Sequence, residues 1–455
     1  MRYIRGPHER GNYWPRGDDC YRVARGHKRG EIYVISLGRF IPGNRWSLLS
    51  FAAAVTAVVA VALPGMASAK SPSRSKAKAV GRVYSETNNP KQNRVLIFDR
   101  LVNGHLTLVG SVATGGKGGQ QLQPGCAPTC PFLDTQGELA QTSDGKHVFA
   151  VNAGSNSVSS FVATATGLKL VSVHSSGGPF PNSLTVHGNL LYVLDSGIFP
   201  MPGPAAPGNI AGLRFNAAGH LTPISGSIRA LTPTVPGLAR QIGFNNNGKL
   251  LVVSLLGNPT LATPVATDSI DTFTVSASGA ASAPTAHDAT TPFPFGFAFD
   301  PNDHLIMSQV TSLTVPGAGD TASYGVAASG ALTPIATVAT KGTAPCWVSI
   351  TSNGKFAYVV NTGGGAPTGG FTSEYKLSAG GGLTLLGNTP VRPNEFALTD
   401  ETLSADSHYL YVLSTGATPA THHIDEYKVL GSGALNFIGQ TPAFAVPGAS
   451  GLVGT

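Results

Sequence analysis

One turn signature comes round seven times in this chain, and it restricts the fold more than any other feature. A glycine-bearing turn, usually followed within two positions by Leu, leads into a strand-like run at Gly104-His105-Leu106, Gly167-Leu168, Gly219-His220-Leu221, Gly279-Ala280-Ala281, Gly330-Ala331-Leu332, Gly382-Leu383 and Gly433-Ala434-Leu435. Successive glycines stand 63, 52, 60, 51, 52 and 51 residues apart. Repetition of a strand-built unit at a period of about 55 residues is the mark of a β-propeller.

A second series of turns interleaves with the first, at Ser143-Asp144-Gly145-Lys146, His187-Gly188-Asn189, Asn246-Asn247-Gly248-Lys249, Asn302-Asp303-His304, Ser352-Asn353-Gly354-Lys355 and Ala405-Asp406-Ser407-His408. Asn, Asp and Gly tolerate the left-handed backbone that tight hairpins need. Each turn is followed by an apolar, β-branched run such as HVFAVNAG (147–154), LLYVLDSG (190–197) or FAYVVNTG (356–363), and then by a third strand such as SVSSFVAT (157–164). The unit is therefore a four-stranded antiparallel meander: an inner strand before the Asx/Gly turn, two middle strands, and an outer strand after the Gly-x-Leu turn. Composition agrees, since Gly 57, Pro 33 and only 12% charged residues exclude a coiled coil, a helical bundle or a charged disordered tail.

The first unit, GRVYSETNN (81–89), has no inner strand before it, only the basic linker 70–80. The last residues, PGASGLVGT (447–455), read like the segments that precede the turns elsewhere. The expectation is an all-β, seven-bladed propeller over 81–455, its ring closed by the C-terminal strand pairing into the first blade. Closure removes two exposed sheet edges that would otherwise invite aggregation.

Residues 1–69 read as a polar extension followed by a secretory signal. Arg39 and Arg45 precede the uncharged run Leu48 to Leu63, then Pro64, Gly65 and the triplet Ala67-Ser68-Ala69, which places cleavage after Ala69. An uncleaved anchor would need a longer span than these roughly 16 apolar residues. The expectation is an exported protein, periplasmic or extracellular, monomeric and off the membrane once cleaved. Net charge looks like a nucleic-acid signal at +7, but residues 1–69 hold ten Lys/Arg against four Asp/Glu. The remainder has 20 against 19, so no nucleic-acid partner is expected.

TSDGKHVFAVNAGSNSVSSFVA (142–163), SNGKFAYVVNTG (352–363) and RVYSETNNPKQNRVLIFDR (82–100) resemble the seven-bladed lactonase propeller family. That family contains bacterial 6-phosphogluconolactonases and fungal carboxymuconate lactonising enzymes. The run Asn-x-Gly then Ser-Val-Ser is also similar to YVTN-type repeats. The resemblance covers 81–455 and implies a site at the mouth of the central channel, on the loops entering the inner strands. There the sequence departs from the family. Phe180-Pro181-Asn182 stands where many members have His-Pro-His, and Arg240 matches the Arg of a Pro-Arg-His step whose His is Gln241. A family acidic position falls on or near Gly296, and a family Arg near Cys346.

On this reading the channel takes a small lactone or neutral ligand. Arg240 is a candidate to bind a carboxylate or polarise a lactone carbonyl, and His174 a candidate general base for water. Asn182, Gln241, Phe180 and Trp347 are candidate ligand contacts. Phe180, Phe293, Phe295, Phe297, Trp347 and Phe396 make an apolar mouth the expectation. Cys126 and Cys130, in the loop QLQPGCAPTCPF, can close a small disulfide after export, with a metal or redox pair as the alternative. Cys346 reads as a buried apolar residue. His422 and His423 point to opposite faces of one strand, so no metal is assigned to them, and no cofactor is expected. The absence of His-Glu-x-x-His, Gly-x-Ser-x-Gly and a phosphate-cradling loop argues against zinc proteases, α/β-hydrolases and nucleotide enzymes. Two functions remain open: hydrolysis or cyclisation of a lactone, and a non-catalytic extracytoplasmic binding propeller that has lost the family's site.

Overall fold

The computed structural model describes residues 78–455, apart from 124–125, 131–132, 134, 198–206, 233–238, 257–268, 312–314, 364–369, 391, 393–394, 396, 416–420 and 447; the side chains of 121–132 are not described either. The extension, the signal and most of the basic linker lie outside the described residues, as does Phe396.

The described residues form seven antiparallel blades. Blade 1 holds Ala79–Glu86, Arg94–Leu101 and Leu106–Ala113, with Ser450–Gly454 as its innermost strand. From inside out, blade 2 is Leu139–Gln141, His147–Asn152, Ser157–Thr164 and Gly167–Ser175; blade 3 is Pro181–His187, Leu190–Asp195, Asn209–Phe215 and Leu221–Pro223. Blade 4 is Ala239–Phe244, Leu250–Leu255, Ser269–Thr274 and Thr285–Asp288; blade 5 is Pro294–Phe299, Leu305–Val310, Gly319–Val326 and Leu332–Ala339. Blade 6 is Pro345–Ile350, Phe356–Asn361, Phe371–Leu377 and Leu383–Pro390; blade 7 is Ala397–Leu403, Tyr409–Thr415, Thr421–Val429 and Leu435–Gln440. A short hairpin, Gln121–Gln123 with Cys126–Cys130, sits in the connection between blades 1 and 2.

Closure follows the sequence reading. Val83 pairs with Gly454, Tyr84 with Val453, Ser85 with Leu452 and Glu86 with Ser450. The first strand begins at Ala79, so the last two residues of the expected linker belong to the blade.

The middle strands supply the core. In blades 2 to 7 the second strand is mostly apolar on both faces because each blade is covered by a neighbour on either side, and Leu250–Leu255 is buried along its whole length. Every fully buried Leu or Val there contributes about 1.5–3 kcal/mol. The recurring glycine turn also joins blades. Tyr192 Oη donates to Gly279 O at 2.7 Å, Tyr358 Oη to Gly433 O at 2.9 Å and Tyr411 Oη to Gly104 O at 2.8 Å. In each case a tyrosine on one blade's second strand satisfies the turn carbonyl of the next blade, and the last of the three spans the closure from blade 7 to blade 1. Gly104 has φ +87°, and a Cβ there would lie 2.2 Å from the Tyr409 ring, so the turn accepts no side chain. The repeat signature is therefore a docking point between blades as well as a turn.

Candidate functional site at the channel mouth

Each inner strand enters the ring at the mouth, and six of the seven carry a bulge at the same level. Pro181 pairs with Asp195 and Ser183 with Leu194, which leaves Asn182 extra. Arg240 is extra between Ala239 and Gln241, Cys346 between Pro345 and Trp347, and Thr399 between Leu398 and Asp400. Phe295 and Gly296 together fill the step between Pro294 and Phe297, and Gly451 the step between Ser450 and Leu452. Proline suits the position before a bulge because it has no N–H to leave unpaired. Bulges re-aim side chains at the rims of closed sheets.

Just past the bulge, a side chain of one blade reaches the backbone of the next. Ser183 Oγ accepts from Ile242 N at 3.1 Å, Gln241 Oε1 accepts from Phe297 N at 2.6 Å while Gln241 Nε2 donates to Phe297 O at 2.9 Å, and Asp400 Oδ2 accepts from Leu452 N at 2.7 Å. In blade 5 the corresponding residue is Gly296, which has no side chain to offer. The amide of Val348 in blade 6 is served instead from across the ring, by Gln136.

Gln136 belongs to the segment that leads into blade 2, and this segment spans the mouth. Val348 N donates to Gln136 Oε1 at 3.1 Å and Gln136 Nε2 donates to Val348 O at 2.9 Å. Trp347 Nε1 donates to Thr135 O at 2.7 Å, and Thr135 Oγ1 to Asn182 O at 2.8 Å. Ser183 Oγ donates to Gln136 O and Leu184 N to Gly137 O, both at 2.6 Å, and Gln136 N donates to Arg240 O at 3.3 Å. A Cβ on Gly296 would lie 2.4 Å from Gln136 Oε1 and 2.1 Å from Cys346 O. Glycine at 296 is what lets the carboxamide sit there. Three residues of blade 2 thus bond to blades 3, 4 and 6 and press on blade 5.

The residues expected to form the site are dispersed by this arrangement. Asn182 is buried and donates from Nδ2 to Ala239 O at 2.8 Å, while Gln241 is committed to Phe297. Trp347 is buried with its indole N–H on the mouth segment and its ring edge-on to Phe295, 5.7 Å between centroids. Phe180, at φ +61°, packs by the mouth segment's approach, where a Cβ on Gly119 would touch its ring. The Arg240 guanidinium lies 5.9 Å from the centroid of Phe295. His174 stands half-buried in the outer strand of blade 2, with Nδ1 3.0 Å from Ser175 O, so the structure does not bring it to Arg240. The apolar mouth also needs correction. Phe295 and Phe297 are buried between blades, and the mouth is crossed by Thr, Gln and Gly. His422 and His423 do face apart, His422 Nε2 accepting from Ala449 N and His423 Nδ1 lying 3.3 Å from Thr441 O. Cys346 is buried, with Sγ 3.3 Å from Ala344 O. The Cys126 and Cys130 side chains, and the disulfide expected of them, lie outside the described residues.

Sequence reasoning missed Gln136 and a set of buried carboxyls in blades 7, 1 and 2: Glu86, Glu138, Asp400 and Glu401. Burial pushes all four well above the usual carboxylate range. The Asp400 and Glu86 charges raise Glu138 further, and Asp400 raises Glu401; Asn93 opposes the shift at Glu86 and Ser349 at Glu401. The signal was there to read, since TDET inside Ala397–Leu403 sets two acids side by side where the other inner strands carry none. Among the described residues no three His, Cys, Asp or Glu side chains are grouped to hold a metal ion. At the other end of the ring, an open cleft of about 320 Å³ between blades 1 and 2 is lined by Arg82, Tyr84, Gln141 and Thr455, but the Arg82 guanidinium is already bonded to Asp99 and to the carbonyls of Thr164, Ala165 and Gly167.

No protein-family model matches the sequence, and no curated protein matches it. Solved structures share the fold. A "putative 6-phosphogluconolactonase" from Bacteroides fragilis aligns over 85% of this chain and 100% of its own length, with TM-score 0.57 and 16% identity. Another from Bacteroides uniformis covers 82% and 99%, with TM-score 0.56 and 16% identity. A functionally unknown protein from Desulfotomaculum acetoxidans covers 82% and 98%, with TM-score 0.56 and 13% identity. The chain therefore has the fold of the lactonase-type propellers, and at these identities the fold is what is shared.

Proposed function

We propose that this chain is an exported, non-catalytic binding propeller whose channel mouth is shut by its own backbone. The observation that carries the reading is the seat of Gln136, which occupies the blade 5 position that Gly296 leaves bare and ties the mouth segment to Val348. A lactonase needs a donor aimed at the carbonyl oxygen and a base within reach of a water. Here the Trp347 indole and the Ser183 hydroxyl are spent on the segment, and Asn182 and Gln241 on neighbouring blades. On this reading ligands or protein surfaces meet the loops around the mouth rather than the channel.

Lactone hydrolysis is the second reading, favoured by one feature. Glu138 stands directly after the mouth segment, and burial pushes its carboxyl well above the usual carboxylate range, the direction a general acid needs, while Arg240 would polarise the carbonyl. A pH-stat assay of the purified protein on neutral and acidic lactones separates the two. The binding reading predicts acid release at the level of the blank in wild type and in Arg240→Ala alike. Release that falls in Arg240→Ala establishes the hydrolase instead.

A further inference from the structure

We infer that the ring of this propeller is closed by a proton-linked latch: the closing strand Ser450–Gly454 is held while the carboxyl groups packed around it keep their protons, and loosens when they ionise. The strand lies between blade 7 and blade 2 and meets an acid on each side. From blade 7, Asp400 Oδ2 accepts from Leu452 N at 2.7 Å while Oδ1 accepts from Glu401 N at 2.7 Å. From blade 2, Glu138 presses on the bulge, where a Cβ on Gly451 would lie 3.2 Å from the Glu138 Cβ. Within blade 1, Glu86 is the register partner of Ser450.

Asp400 spends both oxygens on backbone N–H groups, which favour its anion, so the latch rests on its neighbours, and these have little to balance a negative charge. Glu86 Oε1, Glu138 Oε2 and both carboxylate oxygens of Glu401 are buried with no hydrogen-bond partner. The polar groups that face them are neutral: Asn93 on Glu86, Thr135 beside Glu138, Ser349 and Tyr358 near Glu401. His422 touches the same segment through Ala449 N, and burial together with His423 lowers it to about 4, so it stays neutral at higher pH. Arg82 and Arg100 meet the strand at its far end, at Thr455, where Arg100 also lies 3.9 Å from Asp406. A buried carboxyl without a counter-charge is tolerated as the neutral acid and is costly as the anion.

The direction of the pH effect follows. Because folding raises the affinity of these groups for protons, the stability they lend is complete at low pH and is lost as pH rises through their raised values. The loss is local, because Glu86 and Glu138 lie against the strand itself and Glu401 directly follows Asp400, which bonds the strand. Other buried acids titrate in the same window, Asp195 and Asp271 at about 7 and Asp425 at about 8, so global melting would mix their effects with those of the latch.

The test is amide hydrogen exchange on the full chain, corrected for the intrinsic rate at each pH. Between pH 6 and pH 9 the protection of Leu452 and Val453 is expected to fall at least tenfold, while Ile242 and Phe297 in blades 4 and 5 keep theirs. Glu138→Gln combined with Glu401→Gln, whose side chains are uncharged at every pH, is expected to remove most of that fall. The latch is overturned if Leu452 is equally protected at both pH values, if it loses protection only together with Ile242 and Phe297, or if the double variant keeps the wild-type profile. The first two outcomes are read on wild type alone, so the test survives a variant that fails to fold.

Discussion

Blades 3 to 6 and the sector of blades 7, 1 and 2 solve the same problem with different chemistry. At one level of the ring the amides of Ile242, Phe297, Val348 and Leu452 need acceptors, and a side chain from outside their own strand supplies each. For the amides of blades 4 to 6 the suppliers are a hydroxyl and two carboxamides, Ser183, Gln241 and Gln136. In the closing sector the supplier is Asp400, with Glu138, Glu401 and Glu86 buried beside it. The bonds at this level in blades 4 to 6 use groups that do not titrate, whereas the closing sector places ionisable groups where the first and last strands are joined. Geometry alone does not set how a bonded position behaves; the titration of the group that fills it does.

The comparison can be broken most forcefully at the closing strand. Removing residues 448–455 exposes Ala79–Glu86 as an edge and takes the Leu452 amide from Asp400, and a loss of at least ~10 °C in melting temperature is expected from disruption on that scale. An unchanged melting curve would show that the strand closes nothing.

Next in size is Gln136→Ala, which strands Val348 N and O at once and should cost about 2–3 kcal/mol in chemical denaturation. Gln241→Ala, which strands both polar groups of Phe297, should cost a similar amount, and the two losses should be the same at pH 5 and pH 9. A loss that grows with pH at either position would erase the contrast between the two halves. Smaller again is Glu401→Gln, expected to stabilise by about 1 kcal/mol or more at pH 9 and by progressively less as pH falls below the ordinary carboxylate range, where folded and unfolded chains both hold the proton. The opposite sign at pH 9 would mean the carboxylate has found a partner. Last comes His174→Ala, half-buried in an outer strand, which should stay within about 0.5 kcal/mol of wild type and leave any lactone turnover unchanged.

The fold was legible because its signals are local and repeat. Glycine at 104, 279 and 433 marks turns, and the apolar runs between them mark strands, so seven weak signals reinforce one another. The closing strand was legible for the same reason, as a segment that matched other inner strands but sat at the wrong end. The site was not. Nothing near Gln136 in the sequence says that it will bond to Val348, 212 residues away, and the reason it can is an absent side chain at Gly296. The candidates that sequence did offer, Asn182, Gln241 and Trp347, lie at the mouth, but their polar groups are used on backbone. His174 was misplaced because the end of an outer strand is close in sequence to the next inner strand yet a blade's width away from it.

A closed mouth requires its segment to stay seated, and exchange of the Val348 amide tests that most directly. If Gln136 holds the mouth shut, Val348 should be protected in the free protein at neutral pH as strongly as Ile242 and Phe297, whose acceptors lie in neighbouring blades. Rapid exchange at Val348 beside protected Ile242 and Phe297 would show that the segment lifts and the channel opens, and would contradict the reading of a closed, non-catalytic propeller.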